Sequence, residues 1–78
     1  MIVYHVTTFK KLRRYLEVGR IDPPVRAWES AEYAAQFSIQ TGRAIILRLK
    51  FPDDAPRLEG HENHAYVLYN AYTNLGGL

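Results

Sequence analysis

Four groups of residues in this chain could do chemistry. His5 lies inside Ile2-Val3-Tyr4-His5-Val6, where an imidazole either hydrogen-bonds backbone in a core or faces a ligand. Trp28 and Phe37 offer large π surfaces that serve as core or stack on a flat ring. Lys10, Lys11, Arg13, Arg14 and Arg20 crowd one short stretch, which is either a solvated face or a patch that meets a polyanion through its phosphates. His61, Glu62 and His64 suggest metal ligands, yet the spacing His-Glu-Asn-His matches no zinc motif and reads as a polar loop.

Cysteine is absent, so disulfides, thiolate nucleophiles and sulfur-based zinc sites are excluded. The formal net charge of +2 is too small to imply nucleic acid by itself; only its local crowding is suggestive. A hydrophobic fraction of 47% and a charged fraction of 23% are those of a soluble globular domain. No apolar run approaches the ~20 residues that span a bilayer, and the N-terminus lacks the sections of a signal peptide, so a cytoplasmic protein is expected. Seventy-eight residues allow a single small domain over 1–78 with stability of roughly 4–12 kcal/mol. A chain this small with many aromatics could pair with a second copy to complete its core.

The elements that must position these residues can be read in order. Ile2 to Val6 alternates as a strand. Thr7 or Thr8 then caps a helix whose Phe9, Leu12 and Leu16 share one face, and Gly19 ends it as a left-handed residue. Asp22-Pro23-Pro24 forces an extended or turning segment. A short strand over 25–28 follows, and Ser30 caps a second helix running to about Gln40, with Glu32 at its positive end and Gly42 as its stop. Ala31, Ala34, Ala35 and Phe37 give that helix a small-residue face that can lie close to a sheet. Between Ala44 and Phe51, the residues Ile45, Leu47, Leu49 and Phe51 alternate with Arg48 and Lys50, the clearest strand in the chain. Pro52 to Pro56 stops it, and a polar loop leads to a last strand, Ala65 to Asn70. The order β-α-β-α-β-β predicts an α+β fold with a small, largely antiparallel sheet and two helices.

Four separated pieces of this order resemble the ADP-ribosyltransferase fold, in the diphtheria-toxin and poly(ADP-ribose) polymerase branch named for its His-Tyr-Glu triad. Tyr4-His5-Val6-Thr7 is similar to that family's first-strand motif. Leu16 to Ile21 resembles the following helix with its glycine exit, and Trp28-Glu29-Ser30 with Ala34-Ala35-Gln36-Phe37 resembles the nicotinamide clamp. Ala65-Tyr66-Val67-Leu68-Tyr69-Asn70 resembles the strand that begins with the catalytic glutamate.

The resemblance implies NAD as substrate or ligand. His5 would anchor the ribose, Trp28 and Phe37 would hold the nicotinamide ring, and Thr7, Ser30 and Arg26 would lie near the ligand. Ala65 occupies the glutamate position and cannot stabilise a cation, which argues against full transferase activity; loss of such a preorganised group costs roughly 10²–10³ in rate. Glu62 is the nearest acid, but three residues of strand put it ~10 Å away, so it substitutes only if the loop folds back. Three function classes follow: a small toxin-like transferase, a pseudoenzyme that binds NAD or a partner without turnover, and an RNA 2′-phosphotransferase-like or RNA-binding protein. For the last, the site would use His5 with Arg26 or Arg43, and RNA would meet Lys10, Lys11, Arg13 and Arg14.

Overall fold

The computed structural model describes residues 1–60 and 64–75. It contains β1 (Ile2–Thr7), α1 (Phe9–Val18), β2 (Val25–Trp28), α2 (Ala31–Thr41), β3 (Ile45–Lys50) and β4 (Ala65–Leu68). The four strands form one antiparallel sheet in the order β3-β1-β2-β4. The fold is therefore α+β, as the element order predicts. Among the described residues no helix is long and apolar enough to cross a membrane.

Local sequence sets both helix ends. Thr8, with extended backbone, accepts a hydrogen bond from the Lys11 N–H at 3.1 Å, and Ser30 accepts one from the Tyr33 N–H at 3.3 Å. Gly19 and Gly42 close the helices at φ of 75° and 69°, a region that costs other residues ~1–2 kcal/mol. β4 stops at Leu68 rather than Asn70 because its partner β2 offers only Val25 to Trp28 for pairing.

Strand alternation fixes the core. Val3, Leu47, Leu49 and Phe51 are buried with Val25, Ala27, Ile21, Tyr72 and Leu75, while Arg48 and Lys50 are exposed. Leu12 and Tyr15 of α1 pack against this cluster. That corrects the expected inward face of α1: Phe9 and Leu16 are 65% and 58% exposed. Tyr15 replaces them because its hydroxyl has polar partners beneath it, described below. The small-residue face of α2 is likewise narrower than expected, since Ala34 is buried but Ala31 and Ala35 are exposed. α2 packs chiefly against β1.

The sheet is not evenly zipped. β1 pairs with β3 along its whole length, from Ile2 with Lys50 to Thr7 with Ile45, but it meets β2 in register only at Tyr4 and Trp28. Toward Thr7 and Val25 no further ladder pair follows, and a cleft lined by His5, Val6, Thr7, Arg26 and Ala27 lies along this interrupted seam.

Candidate functional site

The cleft has a volume of about 580 Å³, within the range usual for sites of small molecules and cofactors. Of the residues expected to form a site, His5, Thr7, Arg26, Trp28, Phe37 and Ala65 all line it. Ser30 does not; its hydroxyl is committed to the α2 cap. Glu62 and His61 lie outside the described residues.

His5 spans the gap between the two strands. Its Nδ1 lies 2.6 Å from the Arg26 carbonyl oxygen, and a carbonyl can only accept, so Nδ1 carries the proton. Nε2 is left as an acceptor, and the Tyr15 hydroxyl donates to it at 3.3 Å. With the tyrosine proton so used, Thr7 Oγ1 donates in turn to the Tyr15 oxygen at 3.4 Å. Burial holds the His5 pKa below its ordinary value, the bond to the Arg26 carbonyl works against that, and the charges of Lys11 and Arg43 push it further down. His5 is therefore a neutral imidazole whose one lone pair, on Nε2, meets the Tyr15 hydroxyl; a ligand hydroxyl would bond there by taking the place of Tyr15.

Five cationic side chains line the same cleft: Lys11 and Arg14 from α1, Arg20 from the turn after it, Arg26 from β2 and Arg43 before β3. Asp22 is the single acid among the lining residues and is engaged by Arg20 Nε at 2.8 Å. The remaining positive charge converges on a concave surface, which focuses attraction for an anion. Lys10 and Arg13 are exposed on α1 but do not line the cleft.

At the other end stand the aromatics. Trp28 and Phe37 have ring centroids 5.5 Å apart and planes tilted by 49°, and the Arg43 guanidinium lies 5.7 Å from the Phe37 centroid. A ring sandwiched between them would need roughly 7 Å, twice the ~3.5 Å contact distance of carbon atoms, so Phe37 must swing aside for nicotinamide to enter between the two. Ala65 is 2% exposed and pairs in register with Trp28, which puts its methyl group on the cleft wall beside the indole.

No family model, curated protein or solved structure matches the chain. Function must be argued from the site itself.

Several of its residues escape a reading of the sequence. Tyr15 is three positions after Leu12, on the same helical face, and that spacing was its only signal. Glu29, Tyr33 and His64 form a second polar cluster where β2 and β4 meet: His64 Nδ1 is 2.6 Å from Glu29 Oε1 and the Tyr33 hydroxyl is 3.0 Å from His64 Nε2. Among the described residues no group of three or more His, Cys, Asp or Glu side chains is placed to hold a metal ion.

Proposed function

We propose that the chain is an NAD-binding, ADP-ribosyltransferase-like protein whose ligand lies in the cleft between β1 and β2. The observation that carries this reading is the cleft's chemistry. A neutral imidazole acceptor sits at the strand gap, cations surround it, and an aromatic pair stands at one end. A dinucleotide offers the matching parts in one molecule: ribose hydroxyls for His5 Nε2, a pyrophosphate for Lys11, Arg14 and Arg43, and a flat ring for Trp28. The order of the four sequence motifs supports the same reading, and Ala65 on the cleft wall restricts it toward a weak transferase or a binding protein.

The test is a thermal melt with and without millimolar NAD, read beside Trp28 fluorescence. A ligand bound only by the folded chain adds ~2.7 kcal/mol at 100 times its dissociation constant, a shift of roughly 10 °C or more for a domain of this size. No shift, with unchanged tryptophan emission, overturns the reading.

A second reading is favoured by the cations alone. Lys10 and Arg13 extend the positive surface beyond the cleft along exposed α1, as an RNA strand with a 2′-phosphate in the cleft would require. It predicts that a short RNA binds with an affinity falling steeply with salt. An NAD-sized ligand held by only two phosphates gives a shallower dependence.

A further inference from the structure

The polar cluster at the junction of β2 and β4 is not used by the reading above. Glu29 N–H donates to the His64 carbonyl at 2.8 Å, one position beyond the Trp28–Ala65 pair. This fixes the two side chains on neighbouring backbones. A carboxylate can only accept, so His64 Nδ1–H donates to Glu29 Oε1 at 2.6 Å, and the Tyr33 hydroxyl donates to Nε2 at 3.0 Å. The Tyr33 and His64 rings stack with centroids 4.0 Å apart, and Arg57 Nη1 lies 3.7 Å from the second oxygen of Glu29. A carboxylate that orients an imidazole, leaving its other nitrogen to a hydroxyl, is the arrangement by which a proton is taken from a nucleophile. The side chains of His64 and Glu29 are 30% and 32% exposed, so water reaches them.

The cluster also stands in the right place. A second hollow of about 300 Å³ is lined by Tyr33, His64, Gln36 and Gln40, and its remaining wall includes Trp28 and Phe37, which also wall the main cleft. The aromatic pair therefore separates a cationic side from a proton-accepting side.

We propose that the Glu29–His64 pair accepts the proton of the attacking nucleophile when the nicotinamide–ribose bond of NAD is cleaved, so that a slow hydrolysis proceeds even without a carboxylate at position 65. This rests on the cleft being an NAD site. With water as nucleophile, its oxygen bonds to the anomeric carbon as the carbon–nitrogen bond breaks. That electron pair goes to the pyridinium nitrogen, and neutral nicotinamide leaves. The water proton passes to His64 Nε2, the imidazolium is held against Glu29, and the proton returns to solvent, leaving ADP-ribose. The Tyr33 hydroxyl marks the position on Nε2 that the nucleophile takes. His64 is the catalytic residue in this scheme, and Glu29 is a positioning residue acting through it.

The experiment measures nicotinamide release from NAD, with thermal melts in the presence and absence of NAD, for the wild type, His64→Ala, His64→Gln, Glu29→Gln and Glu29→Asp. Expected is an NAD-induced shift in every variant, with release falling ~10²–10⁴-fold in both His64 variants. Glu29→Gln should lower kcat with KM unchanged, and Glu29→Asp should recover part of it, which a merely structural carboxylate would not do. If His64→Ala melts below the assay temperature, His64→Gln carries the comparison. Unchanged release in a folded His64 variant that still responds to NAD overturns the proposal and leaves the cleft reading intact. So does a wild type that responds to NAD but releases no nicotinamide. A wild type without any NAD-induced shift overturns both.

Discussion

His5→Asn separates two jobs that one imidazole holds. The amide nitrogen of asparagine reaches nearly the place of Nδ1, so the bond to the Arg26 carbonyl, 2.6 Å in the native chain, survives in this variant. The acceptor at Nε2 does not. His5→Ala removes both. His5 is only 9% exposed, so alanine leaves a cavity and an orphaned carbonyl, together about 3–5 kcal/mol by analogy with truncated buried rings. Against a total stability of roughly 4–12 kcal/mol, that brings the domain close to unfolding. His5→Asn should lose only ~1 kcal/mol, a fall of ~4–8 °C in Tm. Its NAD affinity should drop ~3- to 10-fold, the equivalent of one neutral hydrogen bond.

The same pair of proteins gives a pH test. Burial lowers the folded-state pKa of His5 below 6.5. As pH falls through about 6.5 the unfolded chain takes up a proton that the folded chain refuses, so stability is lost on acidification until the folded pKa is passed. Melts at pH 8 and pH 5 should show this component in the wild type and its absence in His5→Asn, the other histidines being common to both. Three results refute the reasoning. His5→Asn as unstable as His5→Ala would mean that the strand-spanning bond is not what His5 supplies. Unchanged NAD affinity would remove Nε2 as the ribose anchor. Identical pH dependence would show that His5 is not the buried neutral group.

Ser30→Ala should cost ~0.5–2 kcal/mol through the lost α2 cap and leave the dissociation constant for NAD unchanged in titration; weakened binding would return Ser30 to the site. Ala65→Glu puts a carboxylate on the cleft wall at a position 2% exposed, destabilising by about 1–3 kcal/mol while raising nicotinamide release by up to ~10²–10³. A folded Ala65→Glu protein with no gain would show that position 65 does not correspond to the family's glutamate. Arg43→Glu should weaken NAD binding, and because the Arg43 charge helps to depress the His5 pKa, an NMR titration should find that pKa raised. An unmoved His5 titration would place Arg43 elsewhere.

How much of this was legible beforehand differs between backbone and site. The order of elements could be read because it depends on local signals: alternation around Leu47 and Leu49, hydroxyl caps at Thr8 and Ser30, and glycines where φ turns positive. The inward face of α1 could not, because hydropathy ranks Phe9 and Leu16 above Tyr15. What decides for Tyr15 is a pair of partners on another element, His5 and Thr7. The Glu29–His64 contact joins residues 35 positions apart through the antiparallel register of β2 and β4, and no local pattern encodes that register. His64 therefore read as part of a polar loop, and Glu29 only as a member of the Trp28-Glu29-Ser30 segment. Lys11 and Arg14 read as a solvated helix face or a patch for a polyanion, with nothing to tie them to His5; the way α1 lies over the strand gap turns them toward the cleft.

The parted seam also explains why a domain so small can carry a site. Larger folds make clefts with loops or second domains, whereas here an interruption in one ladder suffices. The Val67 N–H bonds to the Pro56 carbonyl, on the side of β4 away from β2. Arg26, which pairs with Val67, must then turn its own carbonyl toward β1. Unpaired, that carbonyl would be a liability at the edge of the core. His5 meets it with a side chain rather than with backbone, so the strands stay apart and the seam remains satisfied. The residue that keeps the cleft open is thus also the one that makes it tolerable. It follows that ligand affinity and local stability are coupled at this seam. Whatever binds His5 Nε2 should slow amide exchange along β1 and β2 near the gap more than along the continuous β1–β3 ladder.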